Sequence, residues 1–160
     1  MLVQSCIKAE ILRLEEVLMS IDDEEYNGEY SLPREKLYNA SVGKYAREII
    51  EMLTNLIRGY DIGYVNYHAR SNDERVEVNN IYAISILREL WEQIARDDKP
   101  LTIDSKFSAN NQKQMYDSSY GRELMYILES MVQIIEMILY SINEHNNSLA
   151  SINQMKIKLN

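Results

Sequence analysis

Cysteine is almost missing from this chain. Cys6 stands alone, so no intramolecular disulfide can form, and a reduced, cytoplasmic setting is the expectation. Glycine and proline are nearly as scarce, 5 and 2 among 160 residues, which is too little turn chemistry for an all-β fold. Basic runs are absent as well. The lysines and arginines are scattered and the formal net charge is -8, which excludes a nucleic-acid partner on the ground that phosphate binding needs a basic face. Near the N-terminus, Lys8, Glu10, Arg13, Glu15 and Glu16 interrupt any apolar signal-peptide region. Glu129, Gln133 and Glu136 break the greasiest segment, so no membrane span is expected. There is no phosphate loop, dinucleotide fingerprint, zinc-ribbon cysteine set or nucleophile elbow. Phe 1 and Trp 1 stand against Tyr 12, and so many phenols point to rings at core edges or an interface.

What remains is helical periodicity. The length suits one domain, read as 1–145 with a polar tail over 146–160 in which 155–159 alternate as a short extended segment or stay disordered. A first helix, about 4–20, carries Ile7, Ile11, Leu14, Leu18 and Ile21 in steps of four and three. Around Pro33 the chain should stay irregular. A second helix starts near Ser41 as N-cap or a few residues earlier, carries Val42, Tyr45, Ile49, Met52 and Leu56, and meets a glycine stop at Gly59. A third has Ile81, Ile84, Leu87, Trp91 and Ile94 on one face, with Asn79 or Asn80 as cap. The last, about 119–143, has a broad stripe of Leu124, Ile127, Leu128, Met131, Ile134, Ile135, Ile138 and Ile142. The intervening 59–78 and 97–118 read as long connectors without sustained periodicity. The first exceeds a helical hairpin loop and suits a crossover to a parallel helix. The expected class is all-α, a four-helix bundle.

Three segments carry a family resemblance. Gly121-Arg122-Glu123-Leu124, continuing to Ile135, resembles the last helix of the DinB-like (YfiT-like) bundles, whose metal-binding members have His-x-x-His-His there. The three His positions read Ser130, Gln133 and Ile134. Gly43-Lys44-Tyr45-Ala46-Arg47-Glu48 is similar to a branch motif Gly-x-His-x-Arg-His, with Tyr45 and Glu48 at its His positions. Gly63-Tyr64-Val65-Asn66-Tyr67-His68-Ala69-Arg70 is similar to Gly-x-Val-Asn-Tyr-Asp-x-Arg. The resemblance covers most of 37–141. It implies an up-down-down-up bundle with the long crossover after the second helix. A homodimer is expected as well, because a bundle with Tyr 12 and Met 8 has more apolar surface than its interior can absorb, and dimers are familiar in the family.

In the metal-binding members one second-helix His meets two from the last helix. Here that set becomes Ser130 and Ile134 with Glu48 or Tyr45, and no first shell survives. Neither a metal nor any other cofactor is expected. Glu129, Gln133 and Glu136 read as a solvated flank, because bundle carboxylate sites add Glu-x-x-His pairs and the only histidines are His68 and His145. His68 reads as a loop histidine and His145 as a C-terminal cap. Cys6, beside Ile7, reads as a buried thiol. The resemblance gives Arg47, Tyr67, Arg70, Arg122 and Glu123 structural positions: Arg70 and Tyr67 anchoring the crossover loop, Arg122 and Glu123 fixing the entry of the last helix, with anion recognition by the arginines as the alternative. Three function classes follow: a non-catalytic binding or interaction protein, an enzyme of metal-dependent hydrolase or thiol-transferase type with a substituted site, and a small-molecule binder using the vacated pocket through Tyr45, Ser130 and Gln133.

Overall fold

The computed structural model describes residues 1–21, 28–71, 73–105 and 114–158, which form a mostly helical molecule with one small sheet. Four long helices carry the core: α1 (Leu2–Met19), α2 (Val42–Ile62), α4 (Asn80–Gln93) and α5 (Tyr120–Lys158). A single turn, α3 (Arg75–Val78), precedes α4. Strands β1 (Tyr64–Asn66), β2 (Pro100–Ser105) and β3 (Gln114–Ser119) lie side by side in that order. The all-α expectation thus holds for the helical majority and misses the sheet.

The stripe on α1 is buried throughout, from Ile7 to Ile21. Each such side chain contributes about 1.5–3 kcal/mol on leaving water. Ser41 caps α2, its Oγ accepting the Lys44 N–H at 3.0 Å, and Val42, Ala46, Ile49, Leu53 and Leu56 are buried below it. Asn79 caps α4 by accepting the Tyr82 N–H at 2.9 Å. Its neighbour Asn80 is buried and donates to the Leu18 and Ile21 carbonyls, joining the end of α1 to the start of α4. Ile81 is exposed, not on the core stripe, and Ala83 and Leu90 are buried with Ile84 and Leu87 instead. Around Pro33 a short 3₁₀ turn, Glu35–Leu37, sits between paired Arg34 and Ala40.

Helix α2 runs past the expected glycine stop. It ends at Gly63, left-handed at φ 77°. Gly59 lies inside the helix because a Cβ there would stand 2.5 Å from the Tyr64 carbonyl oxygen and 2.7 Å from Val65 Cγ2. That close approach lets β1 double back along α2.

Helices α1 and α2 each pack against both α4 and α5. At one end the α2 glycine Gly43 touches the Glu77 carbonyl just before α4. At the other, the Tyr60 hydroxyl donates to the Asp97 carbonyl at 2.9 Å and Arg96 pairs with Asp61 at 3.1 Å, just after α4. Tyr60 also meets Tyr120 edge to face at 4.9 Å, beside the first turn of α5.

The connectors expected over 59–78 and 97–118 hold the sheet. Strand β2 pairs with β1 in parallel, Tyr64 opposite Thr102, and with β3 antiparallel, Pro100 opposite Ser119. The parallel pair needs a crossover, which α3 and α4 supply. Pro100 sits at the first strand position, where its missing N–H costs least. Leu101 and Ile103 are buried, but Gln114, Met115, Tyr116 and Asp117 of β3 are exposed and show no alternation. Main-chain pairing holds β3, so its strand character left no mark in the hydrophobic pattern.

The expected tail over 146–160 is helical through Lys158, neither extended nor disordered; Leu159 and Asn160 lie outside the described residues. No glycine or proline after Gly121 stops α5. His145 therefore sits within the helix rather than capping it, with Nε2 3.2 Å from Glu29 Oε1. By length and composition the stretch Tyr120–Ser148 is apolar enough to cross a membrane, despite Glu129, Gln133 and Glu136. Its Leu124, Ile127, Met131, Ile135 and Ile138 are buried in the core, where α5 packs on α1 and α2.

Candidate functional site

Helices α2 and α5, the chain after β1, and strands β2 and β3 line an open pocket of about 600 Å³. From α2 come Glu48, Glu51 and Met52, one helical turn apart and hence on one face. From α5 come Tyr126, Ser130 and Ile134 in steps of four. Tyr67, His68 and Arg70 close one side, and Asp104 of β2 with Tyr116 of β3 close another.

Three positions of the metal motif, Glu48, Ser130 and Ile134, thus line one space. Two do not: Tyr45 is half-buried against the core and Gln133 is exposed. The Tyr45 phenol is pushed up by burial and by the neighbouring Glu48 carboxylate. The residues present do not fit a metal ion. Ile134 offers no donor atom, and the Ser130 hydroxyl donates to the Tyr126 carbonyl at 3.1 Å within its own helix. Among the described residues no group of three or more His, Cys, Asp or Glu is placed to hold one.

One wall is held by a buried carboxylate. Glu51, 7% exposed, accepts Arg47 Nε at 2.9 Å, Arg70 Nη1 at 2.8 Å and the Ser71 N–H at 3.2 Å. Burial works to raise its pKa, but the hydrogen bonds from Arg70, Arg47 and Ser71 outweigh it and hold the carboxyl below its ordinary range. Arg47 reaches further, to Glu77 at 2.9 Å and to the Ser71 carbonyl. Asn55 adds a bond to the Ala69 carbonyl at 3.0 Å. Arg70 thus ties the chain after β1 to α2, as Arg47 also does.

A second cluster lies at the entry of α5. Glu123, 3% exposed, accepts the Tyr67 hydroxyl at 2.9 Å and the Ser118 hydroxyl at 2.5 Å. Burial, then the Glu123 charge and hydrogen bond, pushes the Tyr67 phenol far up. The Arg122 side chain is exposed and makes no ion pair among the described residues, although its backbone N–H reaches Ser119 Oγ at 3.4 Å. Glu123 ties the crossover to α5; Arg122 does not. The Gly121 N–H is taken by Asp98 at 2.8 Å. Tyr64 donates to buried Asp104 at 2.5 Å, which raises the phenol's pKa through that bond and through burial.

Sequence reasoning named Glu48, Ser130, Ile134, Tyr67, Arg70 and His68, and all six line the cavity. It missed Glu51, whose four-residue spacing from Arg47 was a usable signal. Asp104 and Tyr116 had none, because strand pairing places them. His68 is exposed at the cavity, its backbone N–H donating to Asn66 Oδ1 at 2.8 Å. Cys6 is a half-buried free thiol on α1 and does not line the cavity.

No family model, no curated protein and no solved structure matches the chain.

Proposed function

We propose that this protein is a non-catalytic binder of small molecules, built on a DinB-like up-down-down-up bundle whose metal centre has become a polar pocket. The observation that carries the reading is the open space at Glu48, Ser130 and Ile134. Loss of a metal site without replacement would leave the gap filled with apolar side chains, as protein interiors are close-packed. A volume of about 600 Å³ suits a small ligand, and Met52 and Ile134 beside Ser130 and Glu48 give the mixed lining such sites use. The bundle reading draws support from the helix ends: α2 and α4 meet at their starts and again at their finishes, as a crossover between parallel helices requires.

A fragment screen by ligand-observed NMR tests the function. Fragments should bind the native protein and not a folded Ser130→Trp variant, in which the indole occupies the space. Absence of any fragment competing at this pocket would overturn it. The family alignment has its own test. Protein purified without a metal-affinity tag should hold far less than one equivalent of zinc or nickel, and combining Glu48→His, Ser130→His and Ile134→His should create an approximately stoichiometric site.

A further inference from the structure

We infer that the pocket between α2 and α5 selects an organic cation, an amine or quaternary ammonium carrying a compact apolar body. The inference rests on the small-molecule reading above and names the ligand class.

Charge is the first ground. Among the described residues, three carboxylates line the space, Glu48, Glu51 and Asp104, with the guanidinium of Arg70 and the imidazole of His68. That guanidinium is engaged with Glu51, whose two oxygens already receive Arg70, Arg47 and the Ser71 N–H. Glu48, in contrast, makes no hydrogen bond or ion pair among the described residues. It is half-buried, where an unmatched carboxylate is costly to desolvate and a cation repays most. The formal charge of -8 steers cations toward the protein and anions away.

The rings are the second and independent ground. Elsewhere in this molecule aromatic faces carry cations: Lys8 lies 3.8 Å from the Trp91 ring centre, Arg75 4.3 Å from Tyr82, and Lys99 4.3 Å from Tyr60. Tyr67, Tyr116 and Tyr126 have no such partner among the described residues, and all three line the pocket. Tyr67 and Tyr126 stand 6.1 Å apart, centre to centre, with planes tilted by 55°. The Tyr67 hydroxyl is committed to Glu123, so what it offers a ligand is ring surface. Several aromatic faces with a carboxylate close by are what an alkylated ammonium needs, because the charge is spread over carbon and meets the ring quadrupole. A hydrated metal ion gains little from phenol faces, and an anion meets the Glu48 carboxylate.

The test compares isosteres by titration calorimetry and NMR: choline against neutral 3,3-dimethylbutan-1-ol, and benzyltrimethylammonium against benzoate. The cations should bind at least tenfold more tightly than their neutral or anionic counterparts. Glu48→Gln and Tyr126→Leu should each weaken the cations about tenfold, while Glu136→Gln, on the outer side of α5, leaves them unchanged. Equal or tighter binding of the neutral or anionic probes would overturn the cation assignment and leave the small-molecule reading standing. Failure of both cations to bind while fragments do would have the same meaning. Failure of every probe and every fragment would remove both.

Discussion

Single residues at the pocket wall carry more than their surface counterparts. Glu51 joins two arginines and a backbone amide in a nearly water-free position, whereas Arg13 with Glu136 is an exposed pair worth at most about 1 kcal/mol. Glu51→Gln removes the carboxylate shared by Arg47 and Arg70, leaving Arg47 with Glu77 alone, and should cost about 2 kcal/mol, read as a lower urea midpoint at unchanged slope. The pH dependence follows from the lowered folded-state pKa. The stabilisation is present above the ordinary value of 4.5 and is lost as pH falls through the lower folded value. Wild-type protein should therefore lose stability more steeply than Glu51→Gln on acidification below about pH 4.5. Tyr120 gives the opposite case. Fully buried and donating to the Ile94 carbonyl at 2.9 Å, it is pushed up by burial to about 12. Its contribution is present at neutral pH and is lost as pH climbs through that value, so Tyr120→Phe should cost about 1–2 kcal/mol at pH 7, and the deficit should shrink in strong base.

At the scale of elements, helices were legible and strands were not. The α1 stripe recurs every three or four residues and buries in full, so periodicity alone places it. Glu48, Ser130 and Ile134 were brought together on the same logic, by helical spacing plus the family motif. The sheet offers no equivalent: β1 is three residues long and the side chains of β3 are mostly exposed, so nothing repeats on the scale of a strand. Tyr116 and Asp104 consequently enter the pocket unannounced. The end of α2 was misplaced for a related reason. Two glycines lie within four residues of each other, and only tertiary contact distinguishes Gly59, needed for close approach, from Gly63, needed for its positive φ. Gly43 makes the most demanding contact. A Cβ there would come within 2.0 Å of the Glu77 carbonyl oxygen, which is backbone and cannot swing away. Gly43→Ala should cost about 3 kcal/mol by overpacking, with Gly59→Ala somewhat milder, both measured by thermal unfolding.

The whole molecule presents an apolar surface suited to association. Met125, Val132 and Tyr140 leave large apolar surface on the outer part of α5. We propose that this surface pairs two copies, since two-fold dimers are the commonest way to bury a self-complementary patch. Charge opposes the approach, but over distances beyond about 8–10 Å it is screened in physiological salt. Light scattering should give twice 18.8 kDa at high concentration, and Val132→Glu should return the mass to that of one chain.

Helix α5 has a consequence of its own. Its 39 residues extend over about 58 Å at 1.5 Å per residue, nearly twice the span of the 21-residue α2. Ser141 is its last buried side chain among the described residues, and those of Asn146, Asn147, Ser148, Ala150, Ser151, Gln154 and Met155 are exposed. Where side chains are exposed in this way, helical hydrogen bonds open and close on the short timescale of an isolated segment. Deuterium should therefore enter this one unbroken helix at two very different speeds. Amides beyond about Asn146 exchange within seconds, while those between Leu124 and Ile138 wait for the molecule to unfold.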